Sequence, residues 1–181
     1  MKLSIPAALG IFFVAFLFML YSAPAQAFSS EQVNRYSFAK TDDGVAVYTL
    51  TFTLGGYTKD LYIPIVGIRD LPNRTRQNNF GFEMQAGYGD SPTDDGAVVA
   101  LIVAKAEIID GQYKVPAGES VTFKIVALFK TTEDESDTYR FKVTELPFFV
   151  GDDKEAQSFN PSELKYMHSS FEALRFERDA E

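Results

Sequence analysis

His168 is the one histidine of this 181-residue chain, and it stands beside Ser169 and Ser170, so the nucleophile and base on offer form a Ser-His pair. Such a pair needs more than adjacency. A nucleophilic serine sits on a strained elbow or loop with oxyanion donors at hand, and no G-x-S-x-G or equivalent occurs here. Neighbouring residues in a chain also seldom converge on one point, so His168 is read as a surface histidine of the terminal segment. The chain has no cysteine, which removes thiol nucleophiles and thiolate zinc sites, and one histidine leaves a transition metal short of ligands. No catalytic residue and no cofactor are expected, and the chain is read as a non-enzyme.

Carboxylates are the second source of chemistry, because Thr41-Asp42-Asp43-Gly44 recurs as Thr93-Asp94-Asp95-Gly96 and is echoed by Gly151-Asp152-Asp153. Asp42, Asp43, Asp94 and Asp95 are therefore the weak calcium candidates. No D-x-[DN]-x-[DN]-G loop accompanies them, and Asp-Gly is ordinary turn chemistry because both residues tolerate positive φ. A glycosidase pair could be chosen anywhere in so acidic a chain, and none is singled out. The third feature is a loop from Arg69 to Asn79 where Arg69, Arg74 and Arg76 stand among amides. With Tyr88 they are the candidate ligand contacts, for a glycan or an acidic partner, against a plain hydrated loop. Tyr57 and Tyr113 join Tyr88 as aromatics that a carbohydrate-binding surface would use. Asn73-Arg74-Thr75 matches a glycosylation sequon, too short a pattern to carry weight.

The elements that must hold these residues begin after an N-terminal stretch of a different character. Lys2 precedes an uncharged apolar run from Leu3 to Tyr21, and Ala23-Pro24-Ala25-Gln26-Ala27 follows with small residues suited to a signal peptidase. Cleavage is expected between Ala27 and Phe28. The run is also close to the roughly 20 residues that span a bilayer, so an uncleaved N-terminal signal helix acting as anchor is the competing reading. Any membrane association is expected through that segment alone. Residues 1–27 are thus read as a signal peptide and 28–181 as a single domain, long enough to build its own core. The expected location is extracytoplasmic: secreted, periplasmic or at the cell surface. The formal charge is −8, and loss of Lys2 with the leader makes it more negative, so nucleic acid and anionic membranes are poor partners.

Period-two alternation dominates the rest, most clearly where Tyr48, Leu50, Phe52 and Leu54 alternate with Val47, Thr49, Thr51 and Thr53. One side is apolar and the other mostly threonine. That pattern belongs to a sheet with a single buried face, hence to antiparallel sheets packed as a sandwich. A run from Asp60 to Ile68 places Leu61, Ile63 and Ile65 on one side, and Pro64 makes it an edge strand or a bulged one. Further strands are expected at Asn79 to Ala86, Ala97 to Ile109, Ser120 to Lys130 and Thr138 to Val150. The nearly continuous apolar stretch Ala97 to Ala104 suggests a central strand or one crossing between sheets. The fold class is all-β, an immunoglobulin-like antiparallel β-sandwich of about seven strands. Seventeen phenylalanines and nine tyrosines must supply the core bulk that a tryptophan and a disulfide give antibody domains.

At the C-terminus, Asn160-Pro161-Ser162-Glu163 has the order of a helix start, and Leu164, Met167, Phe171 and Leu174 recur at helical spacing. A short helix is the local expectation. The alternative is that Met167 to Phe176 is recruited as a last strand, because tertiary pairing overrides weak propensity.

The segments YTLTFTLGG (48–56), KDLYIPIVG (59–67), QYKVPAGESVTFKIVALF (112–129), TYRFKVTELPFF (138–149) and FNPSELK (159–165) resemble an uncharacterised immunoglobulin-like sandwich module of exported and surface proteins in ultrasmall candidate-phyla bacteria. The resemblance spans most of the chain after the leader. It implies a cell-surface or extracellular module without assigned activity. From the residues, an envelope protein or a glycan is the expected partner, and the oligomeric state is open. This chain has one copy and no recognisable wall-binding or catalytic neighbour. Residues and resemblance together point to a non-catalytic structural or interaction module, with a carbohydrate-binding domain as the alternative and a hydrolase third.

Overall fold

The computed structural model describes residues 35–41, 44–55, 57–70, 78–87, 92–93, 96–131, 137–152, 155–159 and 164–174. Among them the chain is all-β and without helix. In chain order the strands are β1 (Arg35–Lys40), β2 (Ala46–Gly55), β3 (Leu61–Pro64), β4 (Gly67–Arg69), β5 (Phe80–Ala86), β6 (Pro92–Thr93) and β7 (Ala97–Ala104). There follow β8 (Ile108–Ile109), β9 (Gln112–Val115), β10 (Ser120–Lys130), β11 (Asp137–Glu145), β12 (Pro147–Val150), β13 (Glu155–Ser158) and β14 (Glu172–Leu174). They form three sheets.

A four-stranded antiparallel sheet runs in the order β1-β2-β10-β7. Its inward side is the apolar register of β2, where Tyr48, Leu50, Phe52 and Leu54 are all buried, joined by Phe123, Ile125, Ala127 and Phe129 of β10. Two five-stranded sheets lie against it. One has the order β14-β11-β5-β4 with β6 paired to β5, and the other the order β13-β12-β3-β9-β8. Aromatic rings join the layers: Phe129 lies 4.9 Å from Tyr139 of β11, and Tyr113 of β9 lies 6.0 Å from Phe123. The result is β-sandwich-like, with one apolar core shared by all three sheets.

Three expected strands are each divided between two sheets, and short strands outside the expected ones, β1, β6, β9 and β13, add to them, so fourteen strands stand among the described residues in place of about seven. The run Asp60 to Ile68 is not an edge strand, since β3 lies between β12 and β9. Pro64 ends it, lacking the N–H needed to continue a ladder. The chain then turns at Ile65 and enters the other sheet as β4, parallel to β5. The run Thr138 to Val150 divides likewise between β11 and β12 around the buried Leu146.

Ala97 to Ile109 is not a central strand, and it follows the other reading, a segment that crosses between sheets. Its first eight residues form β7, an edge strand with one buried side (Ala100, Ile102) and one solvent side (Val99, Leu101, Val103), and Ile108–Ile109 belongs to a different sheet. A strand apolar on both sides is central only when both faces are covered. Here one is not.

The C-terminal helix is also corrected. Residues 160–163 lie outside the described residues, and 164–174 make a turn followed by an extended segment beside β11. The amide of Val143 donates to Met167 O at 2.9 Å, Ser169 N donates to Phe141 O at 2.9 Å, Lys142 and His168 form a bridge, and β14 continues the pairing. Edge pairing satisfies β11's backbone groups and buries Met167 and Leu174 in the core, gains that outweigh a small helix propensity. Met167 to Phe176 as last strand was the alternative reading, and the described part follows it.

Phe82 lies between Phe80 (6.0 Å) and Phe141 (5.4 Å) and is buried. Phe82→Ala is expected to lower the unfolding free energy by about 3–5 kcal/mol in urea denaturation. A loss below about 1 kcal/mol would mean that this aromatic column is not a core element.

Candidate functional site

Of the residues singled out by type, Asp42, Asp43, Arg74, Arg76, Tyr88, Asp94 and Asp95 lie outside the described residues. Arg69 is described. Its guanidinium donates to the carbonyl of Gly96 at 3.0 Å and to that of Thr93, fastening β4 to the segment that enters β7. A planar fork suits two carbonyls at once, which a lysine could not match.

Tyr113 is not the exposed aromatic that a glycan surface needs. It is 7% exposed and sits edge-on to Phe123, because its position in β9 faces the core. Tyr57 is half-buried against Phe148 at 6.3 Å. His168 is half-buried in the segment beside β11, with Nδ1 2.8 Å from the carbonyl of Ser169. The Ser169 hydroxyl is buried, donates to Ser170 O at 2.8 Å and accepts from Phe141 N at 3.0 Å. Its hydrogen bonds are structural ones that pin the last strand. Among the described residues no three His, Asp or Glu side chains cluster as a metal site would require.

Two further polar groups hold elements in place. Asp60 accepts from Lys114 Nζ at 2.7 Å and from Ala117 N at 2.8 Å, tying β3 to β9 and to the turn after it. The lysine's hydrogen bond, then the amide's, holds the Asp60 carboxyl below the usual range, and the Asp60 hydrogen bond raises Lys114. Tyr48 donates to Tyr139 O at 3.2 Å across the layers, and burial pushes its phenol well above its ordinary value, so it stays protonated.

The surface that pattern reading missed is the outer side of the four-stranded sheet. Register places its outward residues in rows. Thr53 faces Thr122, their hydroxyls 2.9 Å apart. Next come Arg35, Thr51, Lys124 and Val103; then Ser37, Thr49, Val126 and Leu101; then Ala39, Val47, Leu128 and Val99; Lys130 and Ala97 close the array. Val99 (59%), Val103 (48%), Leu128 (46%) and Leu101 (41%) stay open to solvent. Val66, bridged to Leu101, extends the group. Cations stand at both ends of it, Lys124 and Arg35 on one row and Lys130 on another. No outward position of these four strands carries a carboxylate, although the molecule has 25 of them. An apolar centre with a polar, single-signed rim is the anatomy of a contact surface.

No protein-family model matches the chain, and no curated protein matches it significantly.

Asp60 has a depressed carboxyl, so its contribution to stability is complete above the ordinary aspartate value and is lost as pH falls through the lowered one. Asp60→Asn is accordingly expected to flatten the acid limb of urea midpoints measured from about pH 6 to about pH 2. An unchanged limb would mean that the pair contributes nothing. Replacing Leu101 and Leu128 together by threonine is expected to cost less than about 1 kcal/mol in the same measurement, as for surface positions, whereas core residues would cost several times that.

Proposed function

We propose that the chain is a non-catalytic, exported module of the cell envelope that acts by contact through the outer side of its four-stranded sheet. The observation that carries this reading is a cation-flanked patch of exposed aliphatics without a carboxylate, on a molecule whose formal charge is −8. Charge scattered at random over so acidic a surface would put acids there. The leader supports export: one lysine, an uncharged apolar run and an A-x-A ending, with cleavage between Ala27 and Phe28. The sandwich-like layering and the resemblance of five segments to surface modules support an immunoglobulin-like domain. The partner is of acidic chemistry, because a basic rim discriminates by charge before the apolar centre desolvates. A carbohydrate-binding surface is the weaker reading, since Tyr113 is buried and Tyr57 packs on Phe148.

The test is expression of the full chain with a C-terminal tag, followed by fractionation of cells and medium and mass spectrometry of the exported product. A product beginning at Phe28, retained on the cell surface, is expected. Leu101→Asp with Leu128→Asp is expected to release it into the medium with circular dichroism unchanged. Retention unaffected by both substitutions would overturn the reading of this face as the contact surface.

A further inference from the structure

Lying on a charged lipid surface asks a protein for exposed aliphatics and cations beside them on one face, with no carboxylate between. The outer side of the four-stranded sheet has all of these. Val99, Leu101 and Val103 stand at alternate positions of β7, about 7 Å apart, with Leu128 on the neighbouring strand. Lys124 and Arg35 share a row, and Lys130 stands about 20 Å along β10 from Lys124 at about 3.4 Å per residue. All three cations are exposed, and none is in an ion pair among the described residues. No outward position of the four strands carries an aromatic ring, a favoured anchor of contacts between proteins. A fluid bilayer needs no such anchor.

The chain also brings this face to a membrane. Residues 22–34 separate the apolar run ending at Tyr21 from Arg35, a reach of at most about 45 Å at about 3.5 Å per residue. Arg35 is where the described chain enters the sheet, on its outward side. While the apolar run is in a bilayer, the basic row is therefore within reach of the headgroups. The formal charge of −8 opposes such contact, but distance decides which charges count. At about 0.15 M salt exposed charges more than about 8 Å apart are largely screened, and packed sheets stand about 10 Å apart, so carboxylates on the far sheets lie beyond a screening length from a bilayer laid on this face. Glu107, with exposed Lys105 close by in sequence, and Glu119 stand past the ends of β7 and β10. They border the field and do not enter it.

We propose that the partner of this face is the anionic lipid of the membrane across which the protein is exported. Val99, Leu101, Val103 and Leu128 enter the boundary between headgroups and acyl chains, and Arg35, Lys124 and Lys130 lie among the lipid phosphates. With no cysteine to take a lipid anchor, this contact holds the domain at the membrane once the leader is gone. The proposal rests on reading the face as a contact surface and adds what it contacts.

The experiment is co-sedimentation of the protein, purified after export by its own leader, with vesicles of phosphatidylglycerol and phosphatidylcholine in equal parts or of phosphatidylcholine alone. Binding to the mixed vesicles and little to phosphatidylcholine alone is expected. Raising the salt from about 0.1 M to about 1 M is expected to release the protein, because the screening length falls from about 10 Å to about 3 Å. Lys124→Gln with Lys130→Gln is expected to weaken binding about thirtyfold, since each cation at an anionic surface is worth about fivefold. Leu101→Asp with Leu128→Asp is expected to abolish it with circular dichroism unchanged. Lys142→Gln with Lys165→Gln makes the same change of charge on β11 and the segment beside it, and is expected to leave binding within about twofold, as screening requires. Failure to bind the mixed vesicles, equal binding to both kinds, binding that survives both face variants, or a loss as large from the Lys142 and Lys165 pair would each overturn the proposal. A protein that ignores vesicles while its surface retention still depends on Leu101 and Leu128 would overturn the lipid alone, leaving the face to an acidic protein or polymer.

Discussion

Tyr139 is where the layers of this protein are held to one another. Its ring packs 4.9 Å from Phe129 in the opposite sheet, its carbonyl accepts the buried hydroxyl of Tyr48, and its own hydroxyl is 3.3 Å from Thr131 Oγ1. With no cysteine in the chain, cohesion between layers has to come from contacts of this kind. Rings from each sheet extend the same packing, Phe82 onto Phe141 and Tyr113 onto Phe123. Each is worth its buried area plus about 0.5–1.5 kcal/mol from ring geometry. The order of the sheets follows from which strands bring rings inward.

Covering the inner side of one four-stranded sheet takes two further sheets, and the chain makes both by crossing between them at Pro64 and at Leu146. This division leaves the outer side of the four-stranded sheet uncovered by any described element. What decorates that side is therefore free of packing constraints, and aliphatics there are not required by the core. They do carry a cost, since exposed apolar area of this extent promotes unwanted association. Lysines at its ends limit that by charge and at the same time select the sign of whatever docks.

The terminal segment shows how close the competition between local and tertiary preferences can be. Leu164, Met167 and Leu174 are buried, as a helical stripe would have them, yet they are buried from a turn and an extended strand. Helical spacing and an irregular strand can place the same residues inward over so short a length. What separates them is the edge that β11 offers, a partner 24 to 37 residues away in sequence that no local window contains.

The sequence by itself determined the all-β class and the inward register of β2, because alternation at period two leaves one way to bury its rings. It also determined the absence of thiol chemistry, which is a matter of composition. Only the tertiary structure decided which strands are edges, that Tyr113 faces inward, that Arg69 is spent on the carbonyls of Thr93 and Gly96, and that Val99, Leu101 and Val103 face solvent. The reason is physical: alternation records whether two sides of a strand differ, but an all-apolar run such as Ala97 to Ala104 carries no mark of which side is covered. Covering is a property of the neighbours, and the neighbours of β7 come from residues 120–130 and 65–66, brought together only when the sheets assemble.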